Sequence, residues 1–422
     1  MHSLKYCKKI NKDSSAIPAQ TYSFTAMVFF YALFWTCLLI IFYTYLGYGM
    51  VIGLVNGVNR LFKRAVRQVS YAPAVTLVVS AFNEEDFIEQ KIQNTLVLEY
   101  DPSLFRLIFI TDGSTDRTPE LVKRHPNIQL LHEYERRGKV AAMNRAMAFV
   151  ETPIVIFSDA NTLLNPQAIK LIASHYQDPR VGGVAGEKKI VTSGKGGAAN
   201  AGEGLYWQYE SWMKKMDSEL LSVVGAAGEL FSLRTGLFES LPENTLIEDF
   251  VLSLRICLKG YVIRYEPSAY ASETSSASIQ EEQKRKIRIC AGGFQAMTML
   301  RRLLNPIGHP LLTFQYISHR VLRWTACPLA LLFLLIANII IVLGASPGYF
   351  YYVSILVQAL FYVLALIGWA FANRNIRVKS LYIPYYFLFM NASVYFGFVR
   401  FVKKNQSVLW EKAERQKIVK IP

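Results

Sequence analysis

Acidic side chains stand at the ends of apolar runs in the first half of this chain. Asp159 closes the run that begins at Ile154. Asp112 follows the run at 107–111, and Glu84 lies just after a third. Side chains at the carboxyl ends of parallel strands face the crevice in which α/β sheets bind ligands. Carboxylates placed there can accept hydrogen bonds from a base or a ribose and can hold a metal ion.

The same residues have a structural interpretation. Asn83, Ser114 or Thr115 could cap helices, and acids in a first helical turn are favourable against the helix dipole. The polar residues at 81–85 or at 112–116, taken alone, fit a helix cap as well as a binding site. Three acidic strand ends in one sheet favour a site, and Asn161, two residues after Asp159, adds a further oxygen.

A basic turn, Arg-Arg-Gly-Lys at 136–139, begins the helix that precedes the last of these runs. Cations at a helix N-terminus are unfavourable unless an anion offsets them, and a phosphate would do so. A solvated basic turn is the alternative.

Strands and helices must alternate to position these residues. This alternation predicts an α/β fold with a mostly parallel sheet and helices on both faces. The predicted elements are strands at 75–80, 107–111, 128–131 and 154–157, and helices at 84–96, 119–124 and 138–150.

The order of these motifs, followed by the acidic pair at 248–249, resembles glycosyltransferase family 2 with its GT-A fold. Within the family the chain is similar to the membrane-integrated branch of the poly-N-acetylglucosamine, hyaluronan and cellulose synthases. The resemblance covers roughly residues 70–300 by motif. Each motif is weak alone and specific in combination.

The resemblance implies a nucleotide-sugar donor, with UDP as the expected nucleotide, and a divalent metal, Mg²⁺ or Mn²⁺. Asp159 matches the first residue of the family's Asp-x-Asp metal motif, but the third position is Asn161, whose neutral amide is a weaker ligand than a carboxylate. The implied donor-binding residues are Phe82, Asn83, Glu84, Asp112, Lys139, Asp159, Arg285 and Arg288.

The acceptor and the catalytic base are implied by later motifs. Gly228 and Glu229 resemble the family's acceptor loop, and Trp207 lies in an aromatic stretch that suits either sugar stacking or core packing. Glu248 and Asp249 resemble its catalytic acidic motif, with Asp249 as the base that takes the proton of the attacking hydroxyl. An acidic helix N-terminus is the structural alternative for this pair.

A cationic run at 283–288 stands where processive members carry Gln-x-x-Arg-Trp. Aligned on the Ala-Gly-Gly at 291–293, Arg288 keeps the arginine and Ile289 replaces the tryptophan. The missing aromatic ring leaves processive synthesis or the transfer of a single sugar as alternatives. A basic anchor facing lipid is the structural alternative for the run.

The composition indicates a membrane protein. Hydrophobic residues make up 52% of the 422, including 26 Phe and 24 Tyr, which is too apolar for an ordinary soluble enzyme. The net charge of +15 favours anionic lipid and substrate phosphate, because no nucleic-acid-binding module accompanies it. The five cysteines show no paired spacing, so a disulfide framework or zinc site is not expected.

Long apolar stretches lie on both sides of the predicted catalytic domain. The uncharged loop at 344–348 is expected outside and the basic loop at 374–379 in the cytosol. Three full crossings would then put the basic tail outside, against the positive-inside rule. Two alternatives remain: the last segment is re-entrant, or the rule fails for this tail. The predicted parts are a tail (1–23), a membrane helix (24–56), a cytosolic GT-A domain (70–290), interfacial helices (291–320), about three membrane segments (321–402) and a basic tail (403–422).

We therefore expect a membrane-bound inverting glycosyltransferase, in a bacterial inner membrane with its catalytic domain in the cytosol. It would move a sugar to a growing polysaccharide or lipid-linked glycan. A non-processive transferase acting on a polyprenyl phosphate or another lipid is one alternative. A catalytically silent export or scaffold subunit is another, which the three retained aspartates disfavour. Whether an export partner protein takes part stays open.

Overall fold

The structure is a computed structural model that describes residues 24–62, 71–191, 197–274, 278–344, 347–374, 376 and 378–404. The side chains of 197–206 and of Lys379 are not described. The tail predicted at 1–23 and most of the tail predicted at 403–422 lie outside these residues.

Eight strands form one sheet. They are β1 (Val75–Ala81), β2 (Phe105–Asp112), β3 (Gln129–Glu133), β4 (Ile154–Asp159), β5 (Leu163–Leu164), β6 (Val181–Val191), β7 (Leu230–Arg234) and β8 (Val262–Thr274).

The strand order across the sheet is β3-β2-β1-β4-β7-β6-β8-β5. The first four strands in this order run parallel. In the other half, β7 is antiparallel to β4 and β6, and β5 is antiparallel to β8, whereas β6 and β8 are parallel. The carboxyl ends of the four parallel strands therefore share one edge, with Ser80 opposite Asp159 and Ala81 opposite Thr111.

Fourteen helices surround and extend this sheet. They are α1 (Phe24–Phe42), α2 (Tyr48–Phe62), α3 (Ile88–Leu96), α4 (Thr118–Lys123), α5 (Lys139–Met147), α6 (Ala168–Ser174), α7 (Gly197–Leu220), α8 (Glu248–Leu258), α9 (Ile279–Met299), α10 (Pro310–Tyr316), α11 (Leu322–Trp324), α12 (Ala326–Gly344), α13 (Tyr349–Asn373) and α14 (Lys379–Val402) among the described residues.

The sheet has an apolar core on each face, because successive side chains of a strand point to opposite sides. Val78 packs in one core with Val140 of α5, whereas Leu77 packs in the other with Ile88 of α3. All residues of β1 and β4 are buried, as expected for strands covered on both faces. The predicted α/β sheet with helices on both faces is confirmed, and its second half is mixed.

One helix begins later than the sequence predicted. The helix expected from Glu84 starts at Ile88, since residues 84–87 form a turn in which the Glu84 carbonyl accepts from the backbone N–H groups of Phe87 and Ile88. The backbone N–H of Glu84 donates instead to Thr118 Oγ1 at 2.8 Å. This turn belongs to the strand-end loops that build the site.

Three stretches of the described chain are long and apolar enough to cross a membrane: 24–62, α12 and α13. The first combines α1, a π-helical turn and α2. It packs against α12 through Phe34 and Cys37 on one side and Leu334 and Ala337 on the other. The predicted membrane helices at both ends of the catalytic domain are therefore present.

The last helix, α14, is not among these three stretches. It packs along α9, and the two backbones come close where Gly397 meets Cys290. A Cβ atom on Gly397 would lie 2.5 Å from the Cβ of Cys290. The carboxyl-terminal helix is thus joined to the helix that carries the predicted cationic run.

Candidate active site

Two strand-end loops are tied together beside the sheet edge. Asn83 adopts a left-handed conformation with φ 51°, and its Oδ1 accepts a 2.8 Å hydrogen bond from the backbone N–H of Thr115. Its own backbone N–H donates to Ser114 Oγ at 3.2 Å. Asn tolerates this conformation better than most residues. The Asn83 side chain therefore joins the loops after β1 and β2 and holds Glu84 at the cavity.

Asp112, at the end of β2, fixes the start of α5. Its Oδ2 accepts from the backbone N–H groups of Arg137 (3.0 Å) and Gly138 (2.6 Å). Its Oδ1 accepts from both terminal nitrogens of Arg145 at 3.1 Å. The basic turn therefore has a carboxylate of the protein itself at its N–H groups. This arrangement places the next residue, Lys139.

Lys139 brings two distant acids together. Its Nζ lies 2.8 Å from Asp159 Oδ1 and 2.9 Å from Glu248 Oε1. Burial alone would lower the pKa of Lys139, but the two carboxylates outweigh burial and raise it above the ordinary lysine value. The end of β4 and the start of α8 are thus joined by one ammonium group.

Asp249, beside Glu248, is half-buried and faces the same space. Burial raises the pKa of Asp249 to about 7, and the Glu248 carboxylate adds to the rise while Lys139 opposes it. A Cβ atom on Gly228 would lie 3.4 Å from Asp249 Oδ2 and 3.2 Å from Lys139 Nζ. The absence of a side chain at Gly228 leaves open space in front of the carboxylate.

These groups line a cavity of about 400 Å³. Twelve of the fourteen residues that the sequence predicted for the site line it: Phe82, Glu84, Lys139, Asp159, Asn161, Trp207, Gly228, Glu229, Glu248, Asp249, Arg285 and Arg288.

The other two predicted residues lie beside the cavity. Asp112 lines a small adjoining cleft that shares Phe82 and Lys139 with it. The guanidinium carbon of Arg136 lies 3.6 Å from the centre of the Phe82 ring at this cleft. Asn83 lies in the loop described above. Asp112, Asp159 and Asp249 therefore meet around two adjoining spaces.

The acceptor loop is more strongly ion-paired than the sequence suggested. Glu229 pairs with the buried Lys188, which also pairs with Glu273. Burial would raise the pKa of Glu229, but the Lys188 ammonium outweighs it and lowers the pKa below the ordinary value. The Trp207 ring centre lies 5.5 Å from Lys286 Nζ and 5.8 Å from Lys188 Nζ. Trp207 thus lies at a cationic and acidic end of the cavity.

Sequence reasoning missed a buried charge cluster at the cavity floor. Glu210 of α7 lies 2.6 Å from Arg320 and 3.0 Å from Arg323. His319, expected as an interfacial residue, is fully buried between Glu210 and Asp217. The seven-residue spacing of the two acids, which puts both on one helix face, was the available signal.

Trp324 is a second missed residue. It lines the cavity, and a Cβ atom on Gly293 would lie 2.9 Å from its indole. Its ring centre lies 5.5 Å from that of Phe250, the residue after Asp249. Ile289, which stands in place of the expected tryptophan of the cationic run, also lines the cavity.

The residues at the end of β4 fit a hard divalent cation. The Asn161 Oδ1 atom is buried without a hydrogen-bond partner, two residues from the Asp159 carboxylate. In the described part of the chain no group of three or more His, Cys, Asp or Glu could hold a metal by itself. Such a pair suits Mg²⁺ or Mn²⁺, which complete their shells with water and substrate phosphates.

Comparison with known proteins finds similarity over the domain that carries this cavity. Residues 76–241 match the sequence profile described as Glycosyl transferase family 2. The chain is 26% identical over 250 residues to a poly-beta-1,6-N-acetyl-D-glucosamine synthase of Staphylococcus aureus (strain MSSA476), covering 56% of this chain and 58% of the relative. It is 23% identical over 236 residues to the Staphylococcus epidermidis synthase, covering 53% and 55%. The chain thus spans little more than half the length of these relatives.

A solved structure shares the fold. The mannosyltransferase PcManGT from Pyrobaculum calidifontis, in complex with GDP-Man and Mn²⁺, superposes with a TM-score of 0.68 at 20% identity. The superposition covers 89% of this chain and 100% of that one. The chain therefore contains a domain that matches glycosyltransferase family 2 and shares the fold of that mannosyltransferase, and the domain lies between helices long and apolar enough to cross a membrane.

Proposed function

We propose that this protein is a membrane-bound, inverting glycosyltransferase that moves a sugar from a nucleotide-sugar, UDP-linked, to a growing polysaccharide or lipid-linked glycan. The observation that carries the proposal is the position of Asp249. This half-buried carboxyl group, with its pKa raised to about 7, faces the same cavity as Lys139 and Arg288. A base and cations for a leaving diphosphate thus face one space.

The donor is held by the strand-end residues. The nucleoside lies against Phe82, where the cavity adjoins the small cleft that Asp112 lines, and the diphosphate meets Lys139, Arg285 and Arg288. These cations stabilise the negative charge that develops as the sugar–phosphate bond breaks. Lys139 then exchanges part of its contact with Asp159 and Glu248 for the diphosphate.

The transfer step is a single displacement. The acceptor hydroxyl oxygen bonds to the anomeric carbon as the bond from that carbon to the diphosphate oxygen breaks. The hydroxyl proton passes to Asp249, and the electron pair of the broken bond leaves with the nucleotide. Attack from the face opposite the leaving group inverts the anomeric configuration. A carboxylate whose pKa lies near the working pH suits this proton transfer.

Asp159 and Asn161 would hold a divalent cation against the donor diphosphate. The bound cation would neutralise charge on the leaving group. The fold neighbour PcManGT was solved with Mn²⁺ and GDP-Man, which supports a metal of this kind here. Glu248 holds Lys139 in place beside Asp159 and Asn161 through its ion pair with the Lys139 ammonium.

The acceptor enters past the loop of Gly228 and Glu229, with Trp207 at the same end of the cavity. The names of the staphylococcal relatives support a polysaccharide product. A second candidate function is the transfer of one sugar to a polyprenyl phosphate or another lipid. Ile289 favours it, because processive members have a stacking tryptophan there. A gel that resolves product length separates the two.

The membrane helices support a catalytic domain on the cytosolic side of an inner membrane. Two crossings, by α12 and α13, return the chain to the side of the catalytic domain. That side then holds Arg374 and the start of α14, in agreement with the positive-inside rule. Because α14 packs on α9, we place Lys403 and Lys404 at its end on this side as well.

The test is nucleotide release by the purified full chain. A panel of UDP-sugars is incubated with the protein in lipid vesicles that contain Mn²⁺, and free UDP is measured. We expect release with at least one UDP-sugar and loss of release in Asp249→Asn, which should still bind UDP. Absence of UDP release with every donor, or equal loss of UDP binding and turnover in Asp249→Asn, would overturn the proposal.

A further inference from the structure

Eight cationic side chains line the cavity, and they differ in their partners. Five have a carboxylate within 4.0 Å, namely Lys139, Lys284, Arg285, Lys286 and Arg320. Lys214 lies over aromatic rings, 5.8 Å from the centre of Tyr265. In the described part of the chain, Arg288 and Arg400 have neither kind of partner. Among the described residues, these two guanidinium groups are therefore the cavity's cations without an ion pair or a ring contact.

Arg400 is the more unusual of the two. It comes from the last turn of α14, far from the motifs of the catalytic domain, and it lines the cavity. Its Nε atom is buried without a hydrogen-bond partner. Leaving a buried charged donor unsatisfied is costly, so such a group points to an anion that completes it. A guanidinium fork fits the oxygens of a phosphate in particular.

Arg288 serves the donor end of the cavity. It lines the cavity together with Glu248 and Asp249. Burial lowers the pKa of its guanidinium, and these two carboxylates oppose that effect. The turn that holds Arg400 packs further along α9, because the rings of Phe398 and Phe401 lie 5.1 and 6.1 Å from that of Phe294.

Phe294 follows Arg288 by six residues, or about 9 Å along the helix axis at 1.5 Å per residue. The donor diphosphate engages the group nearer to the acids, Arg288. Arg400 is left for an anion that enters from another side.

The surface around Arg400 is apolar. The side chains of Phe396, Phe398, Val399 and Val402 on the same two turns are 55%, 49%, 47% and 59% exposed. Exposed aromatic and aliphatic side chains on a helix beside membrane-length helices suit contact with lipid tails. Arg400 thus joins a lipid-facing surface to the cavity, where a lipid could place its phosphate inside and its chain outside.

We propose that Arg400 binds the phosphate or diphosphate of a lipid-borne acceptor and so positions that lipid for sugar transfer. This inference rests on the proposed function and selects the lipid-linked acceptor from the classes that function allows. A free hydroxyl of the glycan carried on that lipid phosphate then reaches Asp249 from the lipid side, while the donor enters beside Phe82.

The first test is a binding measurement, which needs no turnover. Purified full-length protein in detergent is titrated with undecaprenyl phosphate, undecaprenol or inorganic phosphate, and complexes are detected by native mass spectrometry. We expect binding of undecaprenyl phosphate, at least tenfold weaker in Arg400→Gln and partly restored in Arg400→Lys. Arg374→Gln, an exposed arginine at the end of α13 that does not line the cavity, should bind as the unmodified protein does.

Three outcomes would overturn the inference. They are equal binding of undecaprenol, a site filled by inorganic phosphate at the same concentration, and unchanged lipid affinity in Arg400→Gln. The affinity for UDP and the melting temperature show that each variant is folded. Failure of UDP release with all donors would contradict the proposed function instead. The lipid-binding result would still stand, because binding is measured without turnover.

Discussion

Gly228 lies so close to Asp249 that a single added carbon would reach it. A Cβ atom there would stand 3.4 Å from Asp249 Oδ2 and 3.2 Å from Lys139 Nζ. The second distance is tighter than ordinary van der Waals contact, so the ammonium would have to shift. The loop before β7 and the first turn of α8 therefore leave a space that only a glycine keeps open.

Gly228→Ala should reduce sugar transfer roughly tenfold or more, because a small displacement of groups around the reacting atoms is sufficient for a loss of that size. The melting temperature should change little. Gly236→Ala is the matched control, since an added Cβ there meets nothing within 4 Å. Equal activity of the two variants would show that the Gly228 loop does not border the reacting atoms.

Transfer should depend on pH through Asp249. Its pKa of about 7 lies above the ordinary carboxyl value, so the group is protonated below that pH and acts as a base above it. kcat/KM should therefore fall as the pH drops from 8 to 6. Asp249→Asn should lose about 10²–10⁴-fold in kcat at pH 8, whereas Asp178→Asn, outside the cavity, should not.

The same shift makes a prediction for stability. A carboxyl group with a raised folded-state pKa contributes stability at low pH, and that contribution is lost as the pH rises from about 4 to about 7. Asp249→Asn, which has no charge to bury, should melt at the same or a higher temperature than the unmodified protein at pH 8. A clear fall in melting temperature would show that Asp249 serves the fold.

Lys91 should support the loop that carries Asp159 and Asn161. Its fully buried Nζ donates to Ser158 Oγ and to the Thr162 carbonyl, each at 2.8 Å. Lys91→Met would remove both hydrogen bonds and leave the Thr162 carbonyl without its lysine donor, so it should lower the free energy of unfolding by about 1–3 kcal/mol.

Donor turnover should fall in the same variant, because the loop between the two acceptors loses its support. The exposed Lys123 of α4 supplies the control, Lys123→Met. Thermal melts and UDP release of both variants measure the effect. An unchanged melting temperature and activity in Lys91→Met would show that Lys91 does not support the loop that carries Asp159 and Asn161.

Metal removal should stop transfer. A chelator is expected to abolish sugar transfer by protein in vesicles, and added Mn²⁺ or Mg²⁺ should restore it. Asn161→Asp, which supplies a second carboxylate beside Asp159, should lower the Mn²⁺ concentration needed for half-maximal activity. Full activity in excess chelator would contradict metal binding at the end of β4.

The sequence predicted the parts of the site that depend on local order. Strand composition placed Asp112 and Asp159 at one sheet edge, and the parallel register of β1 with β2 and β4 brings them there. The sequence did not predict the contacts between segments that are far apart in the chain. The composition of 136–145 does not predict that Arg145 donates a hydrogen bond to Asp112, because this contact depends on where α5 begins.

The cavity floor was also hidden for a physical reason. Glu210 and Arg320 are separated by 110 positions, and each alone has the composition of a solvated helix face. Only the packing of α7 against the segment before α11 excludes water from them.

The most direct measurement follows one labelled sugar from donor to product. Purified protein in vesicles receives a UDP-sugar with a radiolabelled sugar, and UDP release and label in the lipid or polymer fraction are counted together. Equal amounts of both, lost together in Asp249→Asn although UDP still binds, are the result expected here. UDP release that is unchanged in Asp249→Asn, or no label in any acceptor fraction, would contradict transfer at this cavity.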